Sequence, residues 1–402
     1  MSWPMVKLGD VATVNPRAPK ALDSYQIVAF VAMASVSEDG YLQSEEPKVL
    51  EETKKGFTYF AKSDVLIAKI TPCFENGKCL RANQISYPVG FGSTEFHVLR
   101  PDEARLDATY LFYMIWSNQF RALGAASMSG AAGQKRVGSD FLKNFEIPLP
   151  PLAEQKRIAA ILDKADAIRR KRQQAIQLAD DFLRAVFLEM FGDPVTNPKG
   201  WEVKKLSEIS TKILNGTTPK GGSEVYVDSG VQFLRSQNVW KNHIIYDDLV
   251  YLDDKTHKSM AKSSLKHKDI LMTKTGRINT ENSSLGRAAL FLGEDNSANI
   301  NGHVYLIRLK KDIIHEFVVF ILTTTEYRDY IRSVCVGGID KRQINKEHLE
   351  DFPIILPPKL LQEKFFAQLN QIRSFVGRAT DSLADAEEMF NGLSHKAFSG
   401  QL

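Results

Sequence analysis

The sequence predicts an α+β protein in which two similar globular domains are separated by two long helices that form an antiparallel coiled coil. Three observations lead to this prediction: an internal repeat, short strand-like runs in each copy and a heptad pattern after each copy. The repeat implies a pseudo-twofold relation between the two halves. The predicted boundaries are 1–150 for the first globular domain, 151–191 for the central helix, 192–200 for a linker, 201–354 for the second globular domain and 355–402 for the C-terminal helix.

The composition is that of an ordinary globular protein. The 402 residues are 43% hydrophobic and 25% charged, with a mean hydropathy of −0.23, and a chain of this length typically makes two or three domains. No apolar run approaches the roughly 18 residues that a membrane helix needs, and the first residues lack the basic and apolar regions of a signal peptide. Three scattered cysteines suit neither a disulfide framework nor a zinc site. We therefore expect a cytoplasmic protein.

The internal repeat has a long period. The offset between matching blocks drifts only from 198 to 207, which indicates one ancestral unit present twice, with small insertions in the second copy. The matching blocks are Trp3–Val11 with Trp201–Ile209, Ser63–Lys69 with Lys268–Lys274, and Ile147–Pro151 with Ile354–Pro358.

Each copy begins with a mixed region. Its β-branched and aromatic runs predict strands, and one apolar segment near its end predicts a helix. The predicted strands include Ile27–Val31, Val65–Ile70, Phe96–Leu99, Ile270–Met272 and Val304–Leu309, and the predicted helices are Ala108–Ser117 and His315–Thr323. A pair of prolines then ends each region, because proline continues neither a ladder nor a helix interior.

A long helix follows each mixed region. Apolar residues recur at a 4-3 spacing that is typical of a coiled-coil seam, and some 38 residues make a rod roughly 57 Å long. In the alternative interpretation, each helix packs only on its own globular domain. The predicted seam residues are Ile158, Leu162, Ile176 and Leu183 in the first helix and Phe365, Leu369, Ile372, Val376, Leu383 and Phe390 in the second.

The sequence contains none of the catalytic motifs that we sought. It lacks a phosphate-binding loop, a dinucleotide-binding glycine fingerprint, a His-Glu-x-x-His helix and a Gly-x-Ser-x-Gly elbow. It also lacks the Asn/Asp-Pro-Pro-Tyr/Phe block expected of an amino-methylating enzyme. We therefore predict no catalytic residue, no metal ligand and no enzymatic activity in this chain.

The net charge of +4, from 52 basic and 48 acidic side chains, by itself argues against a strong polyanion binder. Contacts with nucleic acid would therefore need local patches. One candidate is the lysine-rich run Lys255, Lys258, Lys262, Lys266, Lys268 and Lys274, which equally suits a solvated surface.

Glycine-rich loops and polar loops are the other candidates. Residues 130–136 and 337–342 place Lys-Arg after glycines, which lets backbone approach a partner and supplies phosphate or guanine donors. A plain connecting turn is the alternative interpretation of these two loops. The polar loops 235–238 and 275–280 are candidates for base reading, because Gln and Asn can pair with adenine and Arg with guanine. Ordinary loops commonly have the same composition. The predicted DNA-binding residues are Lys69, Gln134, Lys135, Arg136, Arg235, Gln237, Asn238, Lys274, Thr275, Arg277, Lys341 and Arg342.

Three further segments carry a family resemblance. Ile147–Ile158, Phe191–Trp201 and Ala397–Leu402 are similar to members of the specificity subunit family of type I restriction–modification systems, which the chain resembles over essentially its full length. One departure lies at the second helix start, where Leu361 stands in the place of Glu154. This difference suggests that the two helix starts meet partner subunits unequally.

The resemblance implies a non-catalytic role in bacterial or archaeal host defence. Each globular domain would be a target-recognition domain that reads one half of a bipartite, asymmetric site on double-stranded DNA. The helices would dock two modification (methyltransferase) subunits, and restriction (ATPase/nuclease) subunits would join them. S-adenosylmethionine, ATP and Mg would be bound by those partners and not by this chain. Arg169–Arg172 would face spacer DNA, an acidic partner or solvent.

A different class of function remains open from the residues alone. The same layout suits a coiled-coil scaffold whose two heads bind proteins and do not read DNA. The near-neutral charge is compatible with either function, because partner subunits could supply the phosphate neutralisation in a DNA complex.

Overall fold

The computed structural model describes residues 3–131, 133–278, 283–338 and 341–402. The chain divides into two compact units: unit 1 comprises Met1–Ile176 and Gly377–Leu402, and unit 2 comprises Gln177–Val376. Each long helix therefore contributes one part to each unit. The predicted domain boundaries, which assign each helix to a segment of its own, stay a prediction.

Unit 1 is a mixed α/β structure. Its strands are β1 Met5–Lys7, β2 Ala12–Val14, β3 Ile27–Val31, β4 Glu46–Val49, β5 Thr58–Ala61, β6 Val65–Ala68, β7 Cys79–Arg81, β8 Val89–Gly92, β9 Phe96–Pro101 and β10 Glu146–Pro148. Its helices are α1 Leu50–Thr53, α2 Ala108–Trp116, α3 Asn118–Ser127 and α4 Ser139–Asn144, followed by the first part of α5 Leu152–Phe191.

Unit 2 repeats this order with insertions. Its strands are β11 Val203–Lys205, β12 Ser210–Asn215, β13 Tyr226–Val227, β14 Val231–Leu234, β15 Val250–Leu252, β16 Ile270–Thr273, β17 Thr275–Gly276, β18 Ala288–Leu290, β19 Ala298–Ile300, β20 Val304–Leu309, β21 Val336–Gly338, β22 Lys341–Gln343 and β23 Pro353–Ile355. Its helices are α6 Asp254–Ser259, α7 His315–Thr323, α8 Thr325–Val334 and α9 Lys346–Glu350, followed by the first part of α10 Lys359–Phe398.

The main sheet of each unit has the same strand order. In unit 1 the order is β2-β9-β6-β7, and in unit 2 it is β12-β20-β16-β18. The central strands β6 and β16 are buried at every position, which explains why both read as continuous apolar runs. Val65 pairs with Leu99 and Ile270 with Ile307. The predicted internal repeat is confirmed at the level of the fold.

Each unit also has a second sheet. Its order is β4-β3-β8-β5 in unit 1 and β13-β15-β14-β19 in unit 2. The pairs β3–β8 and β14–β19 are parallel, whereas the other pairs are antiparallel. In each unit the second sheet packs against the main sheet through a shared apolar layer, which includes Leu66 in unit 1 and Leu271 in unit 2.

Both long helices enter the core of each unit. In unit 1, Ile158 and Leu162 of α5 share a core with Phe390 of α10, and the Phe390 ring lies 5.9 Å from that of Tyr113. In unit 2, the Phe187 ring near the end of α5 lies 5.6 Å from that of Phe365 near the start of α10. Within each unit the two helices therefore run antiparallel, as predicted, and neither packs only on its own globular domain.

The predicted seam residues differ in burial along the helices. Ile158, Leu162, Leu183, Phe365, Leu369 and Phe390 are buried, whereas Ile176, Ile372, Val376 and Leu383 are half-buried. All the buried members belong to a globular core, and the half-buried Ile372 also packs against the core of unit 2. No helix in the described ranges is long and apolar enough to cross a membrane.

Candidate nucleic-acid interface

Two of the predicted candidate regions of unit 1 form one site, which we name hairpin site 1. It consists of Lys69–Thr71, directly after β6, and the described residues of the segment 129–137. Ile70 pairs with Arg136, which also pairs with Ser129. The Thr71 N–H donates to the Lys135 carbonyl at 3.0 Å. Residues that lie more than 60 positions apart in the chain thus share one surface.

Hairpin site 2 is the corresponding site of unit 2. It consists of Lys274–Gly276 and the described residues of the segment 336–344. Thr275 pairs with Gln343 and Gly276 with Arg342, while β21 and β22 form the hairpin itself. The Ile344 N–H donates to the Lys274 carbonyl at 3.0 Å, as the Val137 N–H donates to the Lys69 carbonyl at 2.9 Å in unit 1.

One glycine in each hairpin is required by the backbone. Gly130 has φ 126° and Gly337 has φ 114°, which L side chains rarely adopt. A Cβ would lie 3.0 Å from the Gln134 carbonyl oxygen at Gly130 and 2.5 Å from the Lys341 carbonyl oxygen at Gly337. These glycines therefore allow the two strands of the hairpin to approach each other, whereas the sequence pattern predicted an approach to a partner. Ala132, Ile339, Asp340, Asn279 and Thr280 of the predicted loops lie outside the described residues.

The two Lys-Arg pairs are not equivalent, although the sequence pattern suggests that they are. Both glycines and both strand exits match at offset 207, which aligns Arg136 with Gln343 and Lys135 with Arg342. The Lys-Arg pairs are therefore one residue out of register. Because successive side chains of a strand point to opposite faces, Arg136 and Arg342 lie on opposite faces of their hairpins.

Arg136 binds an acidic residue that the sequence analysis missed. Its Nε and Nη2 donate to the Glu95 carboxylate at 3.0 and 2.8 Å, and its Nη1 donates to the Gln134 carbonyl at 3.0 Å. The hydrogen bonds from the Arg136 guanidinium lower the pKa of Glu95, and the positive charge of Lys69 lowers it further. The side chains remain 42% and 27% exposed, so this ion pair lies at the surface.

The corresponding positions of unit 2 carry different chemistry. His303 takes the place of Glu95, since its carbonyl accepts the Lys274 N–H at 2.9 Å as the Glu95 carbonyl accepts the Lys69 N–H at 2.8 Å. Gln343 takes the place of Arg136 and donates to Asn345 Oδ1 at 3.1 Å. Arg342 donates from Nη1 to the Cys335 carbonyl at 3.1 Å. Its Nε is buried without a hydrogen-bond partner among the described atoms.

A buried side chain ties each hairpin to the main sheet. In unit 1, His97 Nε2 lies 2.9 Å from the Val137 carbonyl oxygen, and in unit 2 the Tyr305 hydroxyl donates to the Ile344 carbonyl at 2.8 Å. Burial lowers the pKa of His97 and raises the pKa of Tyr305 to about 12. Both groups are therefore held in their neutral forms at neutral pH.

The polar loop 235–238 is organised internally. Asn238 is 1% exposed; its side chain accepts the Arg235 N–H at 2.8 Å and donates to the Ile245 carbonyl at 3.0 Å. Arg235 Nη2 and Gln237 Nε2 each donate to Asp248 Oδ2 at 2.9 Å. The predicted base-reading role therefore does not fit Asn238, because its amide is used inside the loop. Of the three predicted residues, Gln237 is the exposed one.

The remaining predicted DNA-binding residues differ in exposure. Gln134, Lys135, Lys341 and Arg277 are exposed, whereas Lys69, Lys274 and Thr275 are half-buried.

In the lysine-rich run, Lys268 binds Glu316 at 2.9 Å. Lys262 accepts a hydrogen bond through its carbonyl from Lys212 Nζ at 2.7 Å. Burial and the nearby cations Arg308, Lys266 and Lys262 lower the pKa of Lys212, so this part of the run is a basic surface.

The basic residues in the middle of α5 do not form one exposed surface. Arg169 is 7% exposed and binds Asp166 Oδ1 at 2.9 Å and Asp39 Oδ1 at 2.8 Å. Arg172 donates to the Ser382 carbonyl of α10. The expectation that Arg169 faces DNA or a partner is therefore wrong, because its charge is neutralised inside unit 1. No three His, Cys, Asp or Glu side chains within the described ranges are grouped so as to hold a metal ion.

Comparison with protein families decides what this fold is. The family model described as type I restriction modification DNA specificity domain matches residues 2–178 and 198–376, and so covers both copies of the repeat. The chain belongs to this specificity-domain family. The two matches lie on the two mixed regions and their following helices, which agrees with the repeat in the sequence.

Curated relatives of this specificity-domain chain match over part of their length. The type I restriction enzyme EcoEI specificity subunit of Escherichia coli is 41% identical over 164 residues, which are 40% of this chain and 27% of that protein. The EcoAI specificity subunit of Escherichia coli is 40% identical over 158 residues, which are 39% and 26% of the two chains. These matches therefore span about a quarter of the relatives' length.

Solved structures match over the whole specificity-domain chain. A chain from a structure concerned with complex assembly and conformational transition of the type I R-M system has a TM-score of 0.55 at 20% identity, and the match covers 100% of this chain and 98% of that one. The type I restriction–modification S subunit from M. genitalium has a TM-score of 0.53 at 14% identity, with 98% and 96% covered. At these identities the likeness shows the fold.

Glu95, His97, His303 and Tyr305 are the residues that sequence reasoning missed in this specificity-domain chain. A signal for them was present, since Glu95 and His303 precede, and His97 and Tyr305 lie within, the strand that recurs as Phe96–Leu99 and Val304–Ile307 at offset 208. Comparing the two copies position by position would have shown where they differ. A search for basic and amide side chains passes over a glutamate and a tyrosine.

Proposed function

We propose that this chain is the DNA sequence-specificity subunit of a type I restriction–modification complex, and that each unit reads one half of a bipartite, asymmetric DNA site. The observation that carries this proposal is that one hairpin site recurs beside main sheets of the same strand order, each time with Lys, Arg and Gln but in a different order. Two readers that differ in side chains select two different half-sites, which is what an asymmetric site requires.

The chain is non-catalytic in this proposal. Its helices dock two methyltransferase subunits, which bind S-adenosylmethionine, and restriction subunits with ATP and Mg join them. The small net charge of +4 is consistent with this division of roles, because phosphate contacts dominate affinity and partner subunits would supply many of them. Membership in the specificity-domain family supports the proposal.

The proposal is tested by selecting duplexes from a randomised DNA library with the full chain and any methyltransferase subunits that co-purify with it. We expect enrichment of two short conserved blocks separated by an unread spacer. A matched variant exchanges 1–150 for the corresponding region of another family member, and it should change one block and leave the other intact. Recovery of no enriched sequence, together with retention of unrelated proteins, would instead favour a scaffold with two protein-binding heads.

A further inference from the structure

The Arg136–Glu95 ion pair leaves part of the guanidinium unused. A guanidinium has five N–H groups, and the contacts with Glu95 and Gln134 use three of them. One N–H remains on each terminal nitrogen. Two remaining N–H donors on the terminal nitrogens of one guanidinium suit the O6 and N7 acceptors of guanine in the major groove.

The backbone determines where Glu95 holds this guanidinium. The Glu95 carbonyl accepts the Lys69 N–H at 2.8 Å, and the Glu95 N–H donates to Ser93 Oγ at 3.2 Å. The carboxylate is thereby positioned at the start of β9, beside the hairpin that carries Arg136. A guanidinium held by two bonds to a carboxylate has lost most of its rotational freedom, so it is oriented before DNA arrives.

The charge of the pair favours a base over a phosphate. Arg136 and Glu95 together are neutral and half-exposed, so their attraction to the DNA backbone is small. The neighbouring Lys135 is exposed. Among the described residues Glu95 forms its ion pair with Arg136, and no carboxylate forms one with Lys135. Hairpin site 1 therefore separates a side chain suited to phosphate from one suited to a base edge.

We propose that Arg136 reads a guanine in the half-site of unit 1 and that Glu95 is the positioning residue that orients its guanidinium. This inference rests on the proposed function. At the equivalent place of unit 2, Gln343 and His303 replace Arg136 and Glu95, so that position has amide chemistry, which pairs with adenine. The pair of positions 95 and 136, with 303 and 343 in unit 2, is thus a specificity determinant.

The experiment repeats the library selection with the full chain and its co-purified subunits, for wild type, R136A, E95Q, E95D and K135A. In R136A we expect the preference for guanine at one position of one half-site to fall about tenfold or more, with the other half-site unchanged. In K135A we expect weaker binding of every sequence, a salt slope smaller by about 1 and no change in base preference.

The Glu95 variants separate positioning from folding. E95Q should reduce the guanine preference at the same position and steepen the salt dependence, because Arg136 becomes free to contact phosphate, while E95D should retain more of the preference than E95Q. If E95Q instead loses the base preference at every position of the first half-site, Glu95 has a structural role, and its assignment as a positioning residue is wrong.

The outcomes distinguish this inference from the function on which it rests. If wild type enriches no bipartite site, the proposed function fails. If wild type enriches one and R136A retains every guanine preference, the function stands and the reading role of Arg136 is wrong. Uniform loss of affinity in R136A, with base preferences intact, would assign Arg136 to a phosphate and equally overturn the proposal.

Discussion

Hairpin sites 1 and 2 share a backbone and differ in the side chains that it displays. Both have a glycine with a positive φ, Gly130 or Gly337. In both, the residue that ends the hairpin, Val137 or Ile344, donates its N–H to a lysine carbonyl. Yet the order Gln-Lys-Arg of residues 134–136 becomes Lys-Arg-Gln at residues 341–343. The comparison shows that one framework can display different side chains, because a one-residue change of order exchanges the two faces of a strand.

An ion pair between a buried aspartate and a half-buried arginine is the same in both units. Arg100 binds Asp64 through two hydrogen bonds of 2.7 Å, and Arg308 binds Asp269 through bonds of 2.7 and 2.6 Å. Both aspartates are 1% exposed. Each also accepts the backbone N–H three residues before it, at 2.7 Å. We infer that this pair holds the central strand of the main sheet in both units.

The largest expected effect tests whether the shared framework has equal weight in the two units. D64N and D269N each remove a buried carboxylate from a half-buried arginine, so each should lower the free energy of unfolding of its own unit by about 3 kcal/mol, the low end of the cost of breaking a buried ion pair. Urea unfolding followed by hydrogen exchange of peptides from each unit measures the loss separately.

Exposed aspartates provide the matched controls for that experiment. Asp140 and Asp329 form surface ion pairs three residues along their own helices, so D140N and D329N should cost less than about 0.5 kcal/mol. A loss confined to one unit, with its counterpart unaffected, would contradict the shared role of the Asp–Arg pair.

The starts of the two long helices should differ in stability effect, unlike the two Asp–Arg pairs, because a glutamine at each start makes a different number of hydrogen bonds. Gln155 accepts the Asp107 N–H and donates to the carbonyls of Arg105 and Pro150, all at 2.8 Å. Gln362 repeats the proline bond, to Pro357 at 2.7 Å. Each buried group left unsatisfied costs on the order of 1 kcal/mol, so Q155A should cost about 2–3 kcal/mol and Q362A about 1 kcal/mol. Equal losses in denaturant unfolding of the two units would show that the extra bonds of Gln155 contribute nothing.

Much of the framework could be predicted from the sequence, because its signals are local and occur twice. The helices predicted at 108–117 and 315–323 are α2 and α7, within one residue at each end. The strand predicted at Val65–Ile70 is β6, which ends two residues earlier. Apolar runs that are buried on both faces leave little choice of structure.

The proposed recognition surface is less predictable, because it depends on pairing between distant segments. Lys69 and Arg136 were separate candidates, and only the register of the sheet places them on one surface. Asn238 illustrates a second difficulty, since an amide that closes a loop and an amide that reads a base have the same sequence signature. Glu95 illustrates a third, because a negatively charged carboxylate is not a residue type expected to contact DNA.

The smallest expected effect concerns the side chains that tie each hairpin to its sheet. His97 is 7% exposed, and burial keeps its pKa below the ordinary value of about 6.5. Above this value the imidazole is neutral in the folded and the unfolded chain. Below it, the unfolded chain binds the proton more readily, so the free energy of unfolding of unit 1 should fall as the pH drops from 7.5 to 5.5. Because the phenol of Tyr305 has a pKa of about 12, unit 2 loses nothing at the equivalent position.

H97Y therefore gives unit 1 the chemistry of unit 2 at this one place. Urea unfolding of wild type and H97Y at pH 7.5, 6.5 and 5.5, followed by hydrogen exchange in peptides of unit 1, should show a loss of up to about 1.4 kcal/mol at pH 5.5 in wild type. In H97Y this loss should disappear. The exposed His395 is the other histidine of unit 1, and H395N should keep the wild-type slope. An equal slope in wild type and H97Y would mean that acid weakens unit 1 elsewhere, and that the two ties respond alike to pH.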